Sequence, residues 1–280
     1  MSGVLKRRSV LPGFGLTLGF TLSYLGLLVL LPLAGLVLAA AGCEPQEMLA
    51  TLLSRRTLAA FRLTLTTSAI AASTSAVLGT IVAWVVVRYQ FPGRRLLDAL
   101  VDLPLALPTA VSGISLAWIY GPQGWIGRHL EAFGIPVVRA PLGIIVAQVF
   151  IGLPFVVRTL QPAIEQIDPE VEQAAASLGA GRLQTFVRVL LPMLLPGLLT
   201  GMALAFARGL GEYGSVVFIA GNIPGQTEVV PVLLVSAIEE SRADGSYDYQ
   251  AAAVIAVAAL AVSFACLLAV NLLQLWCRRR

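Results

Sequence analysis

Charged side chains are scarce in this chain: Asp, Glu, Lys and Arg make up 12% of its 280 residues, against 58% hydrophobic. Polar surface on that scale cannot clothe a soluble globule of this length, and a mean hydropathy of +0.86 points to the membrane. Lysine is nearly missing. Lys6 stands alone with no glycine-rich loop before it, so a Walker A phosphate loop cannot be assembled. His129 is the single histidine, and with the carboxylates dispersed no nucleophile–base pair of an enzyme can be built around it. Cys43, Cys266 and Cys277 fall at different predicted depths, which excludes a disulfide framework and a metal-ligand spacing. Basic residues are nowhere interleaved with aromatics as on a nucleic-acid surface. Short segments of alternating polarity, the mark of a transmembrane barrel, are absent too.

What remains is a series of long apolar runs, and lipid, which offers the backbone no hydrogen bonds, makes each of them a helix. With about 20 apolar residues needed per crossing, spans are expected near 16–40, 60–87, 97–120, 141–160, 194–219 and 250–274. Residues 229–238 form a re-entrant segment or an additional crossing. The expected fold is an all-α polytopic membrane bundle of about six transmembrane helices. The 19 basic residues test its orientation. With the N-terminus inside, Lys6, Arg7, Arg8, Arg88, Arg94, Arg95, Arg158, Arg182, Arg188, Arg278, Arg279 and Arg280 fall inside. Arg55, Arg56, Arg62, Arg128, Arg139 and Arg242 fall outside, and Arg208 lies within a span. This bias predicts both termini in the cytoplasm, with Arg55, Arg56 and Arg62 fitting least. The run LAAAGC ending at Cys43 looks like a lipoprotein cleavage box, but the apolar stretch before it is too long for a signal peptide and more spans follow.

The second span is rich in Ser, Thr, Ala and Gly, which let helix backbones approach closely, so it reads as a buried packing helix. In the third, Pro104 and Pro108 remove backbone donors and bend the helix, and Thr109 and Ser112 are placed to meet the freed carbonyls. Two readings stand: a kinked helix lining a pathway, or an ordinary kink between packed helices. Asp98 and Asp102 share one face at the inner end of this span, an interfacial position near Arg94 and Arg95 rather than a proton relay. Arg208 and Glu212 also share a face, at a depth where ionisable groups are costly. They either neutralise each other as a structural pair, the cheaper arrangement, or face a pathway in which Arg208 attracts an anion.

Between the fourth and fifth spans lies VEQAAASLGAGRLQTFVRVLLP, from Val171 to Pro192. Asp168 is placed to cap a helix, Pro169 suits its first position, and Glu170 and Glu172 put negative charge in its opening turn. Ala174, Ala175 and Ala176 form a small-residue face, Gly179 and Gly181 supply the permissive angles of a sharp turn, and Leu183, Phe186, Val187 and Leu190 repeat at helical spacing beyond it. The element reads as a docking elbow at the inner membrane face.

Glu172, Ala174, Ala175, Gly179, Val189, Leu191 and Pro192, with nine residues between Gly179 and Val189, resemble the EAA motif of permease subunits from binding-protein-dependent ABC importers. The chain departs from that pattern with Gln173 inside the triplet and Val189 for the usual isoleucine. The resemblance implies a type I importer permease domain over 57–275, after an N-terminal tail, first helix and outer segment over 1–56, and before a basic cytoplasmic tail over 276–280. It also implies that the elbow is a coupling helix seated in a cleft of an ATPase subunit. The strings GEYGSVVFIAGNIPGQTEVVPVLL from Gly211, YDYQAAA from Tyr247 and PLALPTAVSG from Pro104 are similar to the sulfate and thiosulfate importers, and to their T-type rather than W-type permease. Molybdate permeases share the coupling motif and the Gly-Glu-aromatic-Gly element.

The function implied by the resemblance is import of a tetrahedral divalent oxyanion across a bacterial inner membrane. The expected partners are a W-type permease, two ATPase subunits that bind the ATP, a periplasmic sulfate/thiosulfate-binding protein and the lipid bilayer. No cofactor or metal is expected on this chain. Pro104, Pro108, Thr109, Ser112, Arg208, Glu212, Tyr213 and Ser215 are the candidate pathway residues. The rival from another class is a gradient-driven carrier using Asp98, Asp102, Arg208 and Glu212 as ion-coupling groups. Liposomes holding this chain alone are expected to show no oxyanion uptake under a proton gradient; uptake there would establish the carrier.

Overall fold

The computed structural model describes residues 14–239 and 249–278, which are helical wherever they are regular. Lys6, Arg7, Arg8, Arg242, Arg279 and Arg280, counted above for orientation, lie outside them, as do Tyr247 and Asp248. We number the helices α1 (Phe14–Ala41), α2 (Pro45–Leu52), α3 (Arg55–Arg88), α4 (Arg94–Val101), α5 (Leu103–Ala106), α6 (Thr109–Tyr120) and α7 (Gly127–Ala132). There follow α8 (Pro141–Glu165), α9 (Pro169–Ser177), α10 (Arg182–Leu210), α11 (Gly214–Ala220), α12 (Val230–Glu239) and α13 (Tyr249–Arg278). By length and composition, α1, α3, α8, α10 and residues Tyr249–Leu272 of α13 can each cross a membrane.

The centre is a packet of α3, α8 and α10, and it forms because α3 turns a face of small residues inward, as its composition predicts. Ala60, Thr64, Thr67, Ala71, Ser75, Gly79, Ala83 and Val86 recur every three or four residues and are buried. A Cβ on Gly79 would stand 2.8 Å from Val156 Cβ, and one on Gly152 would stand 3.2 Å from Ala205 Cβ. Around these approaches Val156, Val157, Leu160, Ile164, Leu190 and Leu194 close one apolar cluster. A second cluster joins Leu116, Val137, Ile144, Val216 and Ile219 at the other end. α3 and α8 run side by side in the same direction, with α10 antiparallel to them. α1 packs on α13 near Ala40, Ala253 and Val254. By contrast Gly15 and Gly19, a GxxxG pair, have nothing near their Cβ positions.

The third crossing differs from the expectation of one kinked helix over 97–120. It starts beside α8 near Arg158, ends beside it near Ile144, and is built of three pieces, α4, α5 and α6. Two prolines in five residues are the cause. Pro104 sits in the opening turn of α5, and Pro108 holds Leu107 extended at φ −81°, ψ 140°, which ends the helix. Ser112 does meet the freed Pro108 carbonyl, by its N–H at 3.1 Å and its hydroxyl at 3.4 Å. Thr109 instead packs against Gly214. The fifth crossing also departs from 194–219: α10 ends at Leu210, the chain breaks over Gly211–Tyr213, and α11 restarts at Gly214. Residues 229–238 become α12, too short to span. α13 stays helical to Arg278, into the segment expected as a tail.

Because α3 and α8 touch through Gly79, Gly79→Ala is expected to destabilise the detergent-solubilised protein by about 1–3 kcal/mol, the usual cost of overpacking. Gly19→Ala is the control, expected to be silent in the same thermal unfolding measurement.

Candidate functional site

The elbow is organised by local chemistry. Asp168 accepts a hydrogen bond from the Glu170 N–H at 2.9 Å and so caps α9, with Pro169 at its start and Glu170 and Glu172 in the first turn. Its far end closes as a Schellman motif: the Ala180 N–H donates to the Ala175 carbonyl at 3.0 Å and the Gly179 N–H to the Ala176 carbonyl at 2.9 Å. Gly179 takes φ +80°, which is why a glycine stands there. Gly181 departs from expectation. Its φ is −71°, an ordinary value, and the sharp turn rests on Gly179 alone.

Ala175 faces inward and is buried, while Ala174 is exposed, Leu178 is 89% exposed and Leu183 76% exposed. The tip therefore exposes an apolar face. Beyond it, Phe186–Leu190 widens into a π turn in which the Leu191 N–H reaches the Phe186 carbonyl. Pro192 explains the widening, since its ring clashes with the Arg188 carbonyl in a regular helix. Val189 lies in this turn, and Leu191 and Pro192 start the regular part of α10.

The inward side of the elbow holds contacts that the sequence did not announce. Arg88, the last residue of α3, reaches Glu172 Oε1 at 3.1 Å and the Ile167 carbonyl at 3.2 Å. Its guanidinium lies 5.4 Å from the centroid of the Trp84 ring, and Trp84 meets Phe186 edge-on at 5.9 Å. These side chains border a cavity of about 770 Å³ between the elbow and the bundle. Nearby, Arg158 forks onto Asp102 at 2.5 Å and 2.8 Å, reaches Asp98 at 2.8 Å and so staples α4 and α5 to α8. Gln161 also donates to Asp98 at 2.8 Å. Asp98 and Asp102 are thus structural, and the arginine they need is Arg158 rather than Arg94 or Arg95.

The second site is the pair of helix breaks. α6 packs on α11 so closely that a Cβ on Gly113 would stand 2.5 Å from the Ser215 carbonyl oxygen. This brings Thr109, Ser112, Ser215 and the 211–213 break together, while Pro104 is buried one short helix away and Pro108 is exposed. Arg208 meets Glu212 at 2.8 Å, with Glu212 2% exposed and the Arg208 side chain 36% exposed. The other Glu212 oxygen accepts from the Ser215 N–H at 3.0 Å and hydroxyl at 2.9 Å, capping α11. The pair is therefore real, but asymmetric: Glu212 is buried, with one oxygen held by Ser215 and the other meeting only the ion-pair partner, whereas the Arg208 side chain is part-exposed. Buried Gln148 donates to Ser68 Oγ at 3.1 Å and to the Gly209 carbonyl at 3.0 Å, just before the break. A lone amide in the middle of the fourth span was its only signal. At the opposite end from the elbow, Arg56 forks onto Glu228 at 2.9 Å and 2.8 Å, with Glu228 1% exposed. That pairing engages one of the arginines that fitted least outside.

Known proteins carry the same sequence pattern and the same fold. The model of the family described as binding-protein-dependent transport system inner membrane component matches residues 75–280. The chain is 45% identical over 267 residues to the sulfate transport system permease protein CysT of Salmonella typhimurium, covering 95% of this chain and 94% of that one. It is 46% identical to the probable sulfate transport system permease protein of Nephroselmis olivacea, over 91% and 87% of the two chains. Among solved structures, a chain of a bacterial alginate ABC transporter in complex with alginate pentasaccharide-bound periplasmic protein superposes with a TM-score of 0.73 at 18% identity, covering 92% of each.

Gly179→Ala forces a Cβ into the left-handed region at a cost of about 1–2 kcal/mol. Amides of residues 175–182 are expected to exchange with solvent about tenfold faster in that variant, whereas Gly181→Ala should leave their exchange unchanged.

Proposed function

The chain belongs to the family of binding-protein-dependent transport system inner membrane components, and from that premise we propose that it is a permease subunit of a sulfate/thiosulfate ABC importer. The observation that carries the cargo is the near-full-length similarity to sulfate transport permeases. The chain is a membrane channel component rather than an enzyme, and its lack of a Walker lysine beyond Lys6 supports an external source of ATP hydrolysis. Two ATPase subunits fill that role, one docking on this chain and the other on a W-type companion permease, while a periplasmic protein delivers the anion. The excess of arginine on that side supports placing the elbow and both termini on the cytoplasmic side of a bacterial inner membrane.

The elbow suits the coupling task because it is rigid at both ends, capped by Asp168 and closed at Gly179. The exposed Ala174, Leu178 and Leu183 supply the docking face. The pathway follows the paired breaks, where Thr109, Ser112 and Tyr213 approach the asymmetric ion pair. Glu212 is engaged by Ser215 and by Arg208, and the part-exposed Arg208 side chain supplies the positive charge that attracts a divalent oxyanion within the span. Alternating access then turns this site between the two sides of the membrane.

In liposomes holding the co-purified complex, sulfate is expected to stimulate ATP hydrolysis only when the binding protein is present. Glu172→Lys and Gly179→Asp should leave the chain inserted while separating hydrolysis from uptake. Normal transport by either variant would remove the elbow from the mechanism.

A further inference from the structure

α9 is a short helix hung between two turns, whereas α3 is a long helix embedded in the central packet. Force applied to the tip of the elbow reaches the packet only through what joins them. Backbone joins α9 to α8 through residues 166–168, where Ile167 is buried in the central apolar cluster, and to α10 through residues 178–181. Arg88 is the side chain that bridges the gap. From the end of α3 it grips Glu172 on α9, the Ile167 carbonyl after α8 and the face of Trp84, which in turn abuts Phe186 on α10.

One guanidinium therefore touches α9 and the segment after α8 directly, and α10 through the Trp84 ring. The Arg88 side chain is 20% exposed and that of Glu172 38%, so water screens the pair only in part. Arg88 also lies in the last turn of α3, where a cation is favoured by the helix dipole, which fixes it to that helix electrostatically as well as covalently. Its Nε is buried without an acceptor. A residue serving only to fill space would not carry that cost. Beside this contact an open groove of about 770 Å³ separates part of the elbow from the bundle.

We infer that Arg88 is a positioning residue that gears the elbow to α3, so that displacement of α9 by the docked ATPase is delivered to the α3–α8–α10 packet through α3 as well as along the backbone. The inference rests on the coupling role proposed above for the elbow.

A double-mutant cycle tests it in the assembled complex with its ATPase and companion subunits. Wild type, Arg88→Ala, Arg88→Lys, Glu172→Gln and the Arg88→Ala/Glu172→Gln double variant are compared for sulfate taken up per ATP hydrolysed. A residue needed only for assembly changes the amount of complex, not this ratio. Arg88→Ala and Glu172→Gln are each expected to lower it about tenfold, within the range for residues along a coupling network. The double variant should be no worse than either single one, and Arg88→Lys, which keeps the charge but not the fork, should fall between.

Amide exchange across residues 168–181, read in the same complexes without cargo, should follow the same non-additive pattern. A wild-type ratio in Arg88→Ala, or single losses that multiply in the double variant, would overturn the tether. If the wild-type complex takes up no sulfate, the cargo reading fails on its own. The exchange cycle then decides the tether: unchanged or additive exchange overturns it.

Discussion

A backbone group freed inside this bundle has to find its partner within the protein, because lipid supplies none. That constraint explains where the internal charges stand. Asp102 and Arg158 hold the joint between α4 and α5, Glu212 caps the restart after α10, Glu228 precedes α12, and Glu172 and Arg88 meet at the elbow. Each of these ion pairs lies beside an interruption in helix. An uninterrupted helix satisfies its own amides and has no need of a charge, whereas an interrupted one frees donors and acceptors that a fixed carboxylate or guanidinium can hold. The scarcity of charge that marks the composition is thus a concentration of charge at the few places where the backbone changes direction.

Between those places the chain is tied together by proximity. Gly79 against Val156, and Gly152 against Ala205, bring α3, α8 and α10 into backbone-level contact over the middle of the bundle. Such a packet deforms little. Motion has to enter and leave it through its ends, where the elbow sits on one side and the Arg56–Glu228 clamp on the other. The Arg208–Glu212 pair lies beside the break that follows α10, with the arginine side chain part-exposed.

The elbow was legible in sequence because its signals are local. Asp168, Pro169, Glu170 and Gly179 lie within twelve residues of one another, and each acts on its own backbone. The long spans were legible from composition for the same reason. The breaks at Leu107 and at Gly211–Tyr213 were not: a proline or glycine run in a membrane helix bends it, kinks it or ends it according to what the neighbours supply, and here α6 and α11 supply each other. Distant partners were equally hidden. Arg56 and Glu228 are 172 positions apart, and nothing in a single sequence says which arginine a buried glutamate will meet. Gly181 shows the opposite error, a glycine read as a turn-maker that adopts angles open to any residue.

The widened turn over Phe186–Leu190 has a consequence for chain length. A turn of this kind contains one residue more than the α-helical path it replaces, and one residue of α-helix is worth about 100° of rotation. Removing that residue would restore the narrower path and swing the face of the elbow about the axis of α10, with no change to any residue exposed at its tip. The compass bearing of the elbow is therefore written in the count of residues before Pro192 rather than in their identities.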